Sequence, residues 1–283
     1  MTLRDVCNLY VCSRLVSAPY AAQLARTVKA FEQANPGVPV TCVGPEHIAR
    51  FLAEIRRRTG NLNTLGNYVS QLSILLRHAE RCGSLSRIPP IPRIPRVSRV
   101  PRAWAIDEFK RLYDVANRLS GRVGVHLARF WWPSLIATAY HTGSRIGALL
   151  KARWRDLDLQ TGVLVLAAEN TKTRTEQVFR LPDYVVAKIK ELTWPPRELI
   201  WEWPYNRRYF WTVFRNKIAK PALPGERFGL FHKVRRTAAS LAAAQGGVAA
   251  AQMLLGHSSA RTTIEHYIDP RIAVSAITLP SLE

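Results

Sequence analysis

Acidic residues are scarce in this chain. Its 283 residues include 20 Asp and Glu against 41 Lys and Arg, which gives a formal net charge of +21 and a pI near 10.7. Solubility requires far less charge than this, so the excess predicts a polyanionic partner, most simply a nucleic acid. A ribosomal protein and a membrane-surface protein are the alternatives that charge alone leaves open.

Cysteine is also scarce, and its spacing argues against two classes of protein. The four cysteines, Cys7, Cys12, Cys42 and Cys82, lie in the first third of the chain and have no histidine cluster beside them. Only the first two are close together. We therefore expect reduced thiols in a cytosolic protein rather than a disulfide framework or a zinc site.

Long apolar runs and a secretory leader are missing as well. No run approaches the roughly 20 apolar residues that cross a bilayer, and the opening MTLRDVCNLY lacks the pattern of a signal peptide. We expect a cytoplasmic, nucleoid-associated protein. The 47% hydrophobic residues and 8 Trp are enough for a packed core, and the length favours two domains.

Residues 1–88 are predicted to form a helical domain. Apolar residues recur at helical spacing in three segments, 20–34, 45–57 and 65–81, and Gly or Pro follows or opens each of them. Lys and Arg occupy the outer faces, and no pocket is evident. The pattern is typical of a binding module, although a basic face of a single helix is equally consistent with simple solvation.

Residues 89–102 are predicted to be an extended linker, because proline recurs through RIPPIPRIPRVSRVPR and prevents a helix. Arginine follows a spacing of three over much of this stretch, and no acidic residue interrupts it. We expect it to lie along a phosphate backbone, a role that is compatible with that of an ordinary stiff spacer. Its candidate DNA-binding residues are Arg87, Arg93, Arg96, Arg99 and Arg102.

Residues 103–283 are predicted to form a larger, mixed domain. Helical patterns cover 106–116, 125–140 and 145–150, and short strand patterns cover 154–159, 163–167 and 177–181. The predicted fold class is therefore mainly α with a small antiparallel β-sheet. Beyond Tyr267, residues 272–277 form one more helix candidate, which can pack on its own domain or on a neighbouring protomer.

The segment 231–267 concentrates side chains suited to phosphate chemistry. A helix over 231–244 places His232 and Arg235 on one face, since they are three residues apart. Gly246-Gly247 ends that helix, and 248–255 forms a second. Gly256 is expected to cap the second helix in a left-handed conformation, which fixes His257 at a corner. A short helix over 262–267 then carries Tyr267.

Two further basic residues stand apart from this segment. Arg145 follows His-Thr-Gly-Ser at a buried turn, where an arginine is normally a structural ion-pair partner, yet no acidic residue is near it in sequence. Lys172 lies in NTKTR between two predicted strands, where a lysine is normally only solvated. Each residue alone predicts little.

Taken together, Arg145, Lys172, His232, Arg235, His257 and Tyr267 occur in this order in the surroundings TGSRIGALL, NTKTR, HKVRRT, LGHSS and TTIEHY. This combination resembles the tyrosine recombinases of the phage-integrase type, over about 103–270. The helical residues 1–88 and the linker look like that family's core-binding domain. The resemblance implies a mixed α+β tyrosine-recombinase catalytic domain and a function in DNA recombination or integration, as in mobile elements.

The resemblance also implies a role for each site residue. Tyr267 is the nucleophile, Lys172 the general acid, Arg145 and Arg235 bind the phosphate, and His232 and His257 assist. The implied reaction passes through a 3′-phosphotyrosyl intermediate and a Holliday junction. A homo-tetramer is implied to hold two double-stranded DNA sites during recombination, and the free chain is implied to be a monomer.

The chemistry of these side chains agrees with those roles. The planar fork of arginine matches two non-bridging phosphate oxygens, and a phenol with an ordinary pKa of about 10 needs a base or a positive field to attack. No metal or nucleotide cofactor is implied. Integrase, transposon recombinase and chromosome-dimer resolving recombinase share this chemistry, and a catalytically silent DNA-binding protein of the same fold is the remaining alternative.

Overall fold

The chain divides into two compact units, Met1–Ser98 and Arg99–Glu283. The structure is a computed structural model, and it describes residues 1–171, 174–192, 198–225 and 231–273. The boundary between the units falls inside the predicted linker. Lys172 and the last four residues of the predicted helix 272–277 lie outside the described residues.

The first unit is a bundle of four helices, which confirms the three predicted helices and adds one before them. Their bounds are α1 Leu3–Arg14, α2 Ala18–Ala34, α3 Pro45–Arg58 and α4 Leu62–Arg81, with a 3-10 turn at Val40–Cys42. A capping box between Thr2 and Asp5 begins α1, and the Asn61 side chain caps α4. The buried faces meet around Phe31, Phe51 and other apolar residues. All four cysteines are free thiols.

The first part of the Pro/Arg-rich segment packs on this bundle. Ile88, Ile91 and Ile94 contact the core of the first unit, at the three-residue period of an extended polyproline-like chain. The Asn63 side chain donates to the Val97 carbonyl at 2.9 Å and accepts from its N–H at 3.0 Å. The five arginines predicted as DNA contacts, at 87, 93, 96, 99 and 102, are all exposed.

The second unit is built around a buried helix. Its elements are α5 Ile106–Asn117, β1 Arg122–Val123, β2 His126–Leu127, α6 Ala128–Thr142, α7 Ile146–Leu149, β3 Val163–Leu166, β4 Gln177–Arg180, α8 Asp183–Lys190, α9 Arg207–Val213, α10 Lys220–Ala222, α11 His232–Leu255, α12 Ala260–His266 and α13 Pro270–Ala273. A π turn over Phe214–Ala219 joins α9 to α10. Helix α6, with fully buried Trp131 and Trp132, packs against α5, α8 and α11.

Two antiparallel hairpins complete this unit and confirm the mixed, mainly helical fold class. Strands β3 and β4 pair from Val163–Arg180 to Leu166–Gln177, as predicted. The strand predicted at 154–159 is wrong. Trp154–Asp156 forms a 3-10 turn because the Asp156 carboxylate accepts a 2.9 Å hydrogen bond from the Arg153 N–H. The hairpin of β1 and β2 occupies the start of the predicted helix 125–140, so α6 begins at Ala128.

Helix α11 consists of two helical parts separated by a kink. Gly246 and Gly247 leave helical conformation, the second with φ 72° and ψ −174°, which confirms the predicted break. Within the described ranges α11 is the one helix long and apolar enough to cross a membrane by length and composition. The break leaves 14 residues, 232–245, in its first part, and these span about 21 Å against the roughly 30 Å of a bilayer core.

Candidate active site

Tyr267 lies at the centre of a cluster of basic side chains. It follows α12, where its N–H donates to the Thr263 carbonyl at 3.0 Å, and it is 8% exposed. The ring centroid is 4.7 Å from that of His257 and 5.5 Å from that of His232. The guanidinium carbon of Arg235 lies 5.1 Å from the same ring. Residues far apart in sequence therefore meet around one phenol.

Arg235 holds this cluster together from the first turn of α11. It is 2% exposed and donates to the carbonyls of Gly143 and Leu255, the latter at 3.0 Å. Its Nη2 also lies 3.0 Å from Nε2 of His257. Its Nε is buried with no partner among the described residues. The guanidinium thus joins the turn before Arg145 to the turn before His257.

The tautomer of His257 follows from its two neighbours. Nε2 faces a guanidinium that can only donate, so this nitrogen accepts. Nδ1 then carries the proton and donates to the Thr263 hydroxyl at 3.0 Å. The Gly256 cap has φ 60°, as predicted, and it turns the chain so that the imidazole faces Arg235.

Arg145 precedes α7 as its N-cap residue, half-buried beside the cluster. Throughout the described parts of the chain, no side chain forms an ion pair or hydrogen bond with its guanidinium. Burial is the main cause of the lowered pKa values of Arg235, His232 and His257, and the positive charge of Arg145 lowers all three further. Two arginines therefore face one another without a carboxylate between them, which favours an anionic ligand.

Both histidines are uncharged at neutral pH. Burial lowers the pKa of His232 to about 4, and the charges of Arg236 and Arg235 contribute to the shift. Part of the His232 side chain is nevertheless exposed to solvent. Burial and the Arg235 charge lower the pKa of His257 to about 4 in the same way. Neutral imidazoles can accept a proton or a hydrogen bond.

Acidification is therefore expected to destabilise the folded chain. Both imidazoles stay neutral in the folded state down to about pH 4, whereas in the unfolded chain they bind protons near the ordinary histidine pKa of 6.5. The free energy of unfolding should fall between these limits, by at most about 1.4 kcal/mol per pH unit for His257 and by less for the exposed His232. Urea unfolding across this range measures the slope. The double variant His232→Asn, His257→Gln should show a shallower slope, and an equal slope would contradict the assignment.

The structure brings five of the six predicted site residues together, namely Arg145, His232, Arg235, His257 and Tyr267. The sixth, Lys172, lies outside the described residues, but the strands on either side of it are described. The Thr171 hydroxyl lies 2.9 Å from the Thr175 carbonyl and 3.1 Å from its N–H, close to the start of β4.

Sequence reasoning missed Gln177, the first residue of β4. Its amide lies where a Cβ at Gly256 would be, so the turn before His257 requires glycine for space as well as for its positive φ. The glycine in LGH indicated a special backbone position at residue 256, but nothing in the sequence around Gln177 indicated that it packs there. Strand β4 is in this way packed against the turn that carries His257.

Replacing Gly256 by alanine is expected to lower the free energy of unfolding by about 1–2 kcal/mol, because the left-handed conformation is strained and the Gln177 amide must move. Gly121→Ala is the matched control, since Gly121 has φ +88° and open space at its Cβ position. Thermal unfolding should show the larger loss at Gly256, and Gln177→Ala in the same chain should recover the difference. Equal losses at the two glycines would show that Gln177 plays no part.

Two further features of the described residues bear on where a site can lie. The described residues assemble no group of three or more His, Cys, Asp or Glu side chains. A groove of about 910 Å³ lies in the first unit, between α4 and the Pro/Arg-rich segment. It is lined by Arg77, Arg93 and Arg96 together with isoleucine and proline.

The fold and this cluster define a class of two-unit, mainly helical proteins with a phenol among arginines and histidines. Residues 105–273, more than half of the chain, match the Phage integrase family. The chain belongs to that family. No curated protein sequence matches it.

Solved structures share the fold at low sequence identity. A lambda integrase dimer bound to a COC' core site is 22% identical, with a TM-score of 0.72 over 92% of this chain and 96% of that one. The Tn1549 transposon integrase in complex with a circular intermediate DNA is 14% identical, with a TM-score of 0.74 over 94% and 95%. The XerH recombinase bound to a palindromic difH substrate is 17% identical, with a TM-score of 0.68 over 96% and 80%.

Proposed function

We propose that this protein is a site-specific tyrosine recombinase that cuts and rejoins double-stranded DNA through a 3′-phosphotyrosyl intermediate. One observation carries the proposal: the Tyr267 phenol is packed against two neutral imidazoles and a buried arginine, beside a second arginine for which the described residues provide no acidic partner. Family membership and a net charge of +21 support it.

The proposed reaction transfers a DNA phosphoryl group from the 5′ oxygen to the phenol oxygen of Tyr267. The Tyr267 oxygen attacks phosphorus, the bond from phosphorus to the 5′ oxygen breaks, and the DNA 3′ end remains attached to the phenol oxygen. The phenolic proton passes to His232, and Lys172 gives a proton to the departing 5′ oxygen, which leaves as a hydroxyl. Arg145 and Arg235 bind the non-bridging oxygens, and His257 assists by holding the Arg235 guanidinium through Nε2. Reversal with another 5′ hydroxyl rejoins the strands, so neither a metal nor a nucleotide is required.

The proposed partner is a pair of DNA sites held by four copies of the chain, with strands exchanged through a Holliday junction. Among proteins of the same fold are lambda integrase in a tetramer bound to a Holliday junction and transposon and Xer recombinases bound to DNA. The exposed arginines at 87, 93, 96, 99 and 102 are proposed to contact DNA phosphates. Integration, transposon excision and resolution all use this chemistry, and the DNA site distinguishes them.

The test is covalent capture of the chain on nicked DNA. Duplexes nicked so that the cut fragment diffuses away, tiled across the DNA that flanks the gene, are incubated with the full chain in a chelator. We expect a protein–DNA adduct that survives denaturation. Trypsin should place the nucleotide on the peptide TTIEHYIDPR, whose single tyrosine is Tyr267. Binding without an adduct on any duplex would favour the silent DNA-binding protein, and an adduct elsewhere would overturn the assignment of Tyr267.

A further inference from the structure

Two buried residues near the start of the second unit are hydrogen-bonded to the segments that carry the site. Ala103 and Trp104 directly follow the Pro/Arg-rich segment, and they are 6% and 0% exposed. The Ala103 N–H donates to Asp269 Oδ2 at 2.9 Å, and the Trp104 N–H donates to the Thr237 hydroxyl at 3.0 Å. Asp269 lies two residues after Tyr267, and Thr237 lies two residues after Arg235.

Asp269 is a fully buried carboxylate with a complete set of partners. It accepts from the backbone N–H of Arg271 at 3.1 Å and from its Nε at 2.9 Å, in addition to Ala103. Burial opposes its charge, but the hydrogen bonds to Arg271 and Ala103 outweigh burial and hold the pKa of Asp269 below its usual range. The carboxylate is therefore ionised when the chain is folded.

The backbone of the same residue is attached to α11. The Asp269 N–H donates to the Ser240 hydroxyl at 2.8 Å, and that hydroxyl also lies 3.3 Å from the Tyr267 carbonyl. The main chain just after the phenol is thus held on one side by α11 and on the other by Ala103. The Tyr267 N–H donates backward along the chain to the Thr263 carbonyl.

Capping of α13 explains part of this arrangement but not all of it. An aspartate before a short helix accepts from the N–H groups of its own first turn, as Asp269 does from Arg271. The bond from Ala103 crosses 166 residues of sequence, and no helix end requires it. The hydrogen bond from Ala103 occupies one of the four acceptor positions of the buried Asp269 carboxylate. The bonds from Arg271 are enough to cap α13 without it.

We propose that Asp269 is a positioning residue. Its hydrogen bond with Ala103, near the start of the second unit, holds the Tyr267 segment in the active site of the same chain. This inference rests on the proposed function of Tyr267. Because Ala103 follows the Pro/Arg-rich segment directly, a change in the path of that segment reaches the nucleophile through one carboxylate. The hydrogen bonds of the Asp269 carboxylate go to Ala103 and Arg271 rather than to the phenol.

The decisive variant is Asp269→Ala, with Glu265→Ala as its matched control. Glu265 lies two residues before Tyr267, is exposed, and pairs with Arg261 on the surface of α12. We expect single-turnover cleavage of saturating nicked DNA to fall by about 30- to 100-fold in Asp269→Ala, the loss typical of a displaced reacting group. DNA affinity should stay within about twofold of the unaltered chain, because no phosphate contact is lost. Asp269→Asn, which keeps an acceptor, should recover part of the rate.

Hydrogen exchange tests the fastening without reference to DNA cleavage. The amides of residues 263–269 should exchange about tenfold faster in Asp269→Ala than in the unaltered chain, and at the unaltered rate in Glu265→Ala. This measurement holds even if the chain cuts no DNA, so failure of the proposed function and failure of this inference are separate results. Unaltered exchange, or cleavage at the unaltered rate by an active chain, would overturn the inference.

A second variant removes the other half of the bond. Ala103→Pro deletes the donating N–H and leaves the carboxylate in place, so it keeps the test decisive if Asp269→Ala fails to fold. We expect the same faster exchange over 263–269. In the double variant, the two losses of cleavage rate should be clearly less than multiplicative, because both act through one bond. Fully multiplicative losses would show that the two residues act separately.

Discussion

Replacing Tyr267 by phenylalanine is expected to abolish the covalent protein–DNA adduct while leaving the fold and the affinity for DNA unchanged. The substitution removes one oxygen atom. The ring keeps its contacts with His232, His257 and Arg235, so the cluster around it is preserved. Without the hydroxyl, no atom of this side chain can bond to phosphorus, and the rate falls to that of the uncatalysed reaction.

The control for this variant is Tyr205→Phe, in the same unit of the chain. Tyr205 is 46% exposed and packs against Trp203 and Tyr209, outside the site. Its adduct yield on nicked DNA should equal that of the unaltered chain, and thermal unfolding of both variants should match. An adduct that persists in Tyr267→Phe would move the nucleophile to another residue and remove the main support for the proposed reaction.

Much of the site was predictable because its signals are local. The helix over 231–244, the break at Gly246-Gly247 and the left-handed cap at Gly256 depend on residues within a few positions of one another. These short-range rules are enough to set His232 and Arg235 on one helical face and His257 at a fixed corner. Their convergence on Tyr267 was predicted by the order of motifs rather than by any local rule.

What the sequence did not predict depends on contacts across the fold. The sequence pattern from Trp154 onward predicted a strand, but the structure has a 3-10 turn there, because the Asp156 carboxylate accepts a hydrogen bond from the Arg153 N–H. The Gln177 amide fills the space beside Gly256, and Asp269 accepts from Ala103, yet neither pair leaves any mark on local periodicity. Such partners are identified only when the packed structure places them side by side.

Replacing Arg145 by glutamine should reduce DNA cleavage by about 10³-fold, in line with the removal of one preorganised donor to a developing charge. The same variant should make the free protein more stable, by roughly 1 kcal/mol, as expected where a functional residue is strained. The reason is electrostatic. Arg145 lowers the pKa values of Arg235, His232 and His257, so its charge opposes charge on each of these neighbours.

The ligand should reverse that order of stability. Inorganic phosphate, which supplies the anion that the two arginines face, should raise the melting temperature of the unaltered chain more than that of Arg145→Gln, since binding to the folded state stabilises it by mass action. Arg118→Gln, at an exposed arginine of the same unit, removes an equal charge and should alter neither the cleavage rate nor the response to phosphate. A less stable Arg145→Gln variant with an unchanged phosphate response would make Arg145 a structural residue, the ordinary role of an arginine at a buried turn. A more stable variant that no longer cuts DNA would instead mean that the folded chain tolerates a repulsion between two guanidinium groups because a DNA phosphate relieves it.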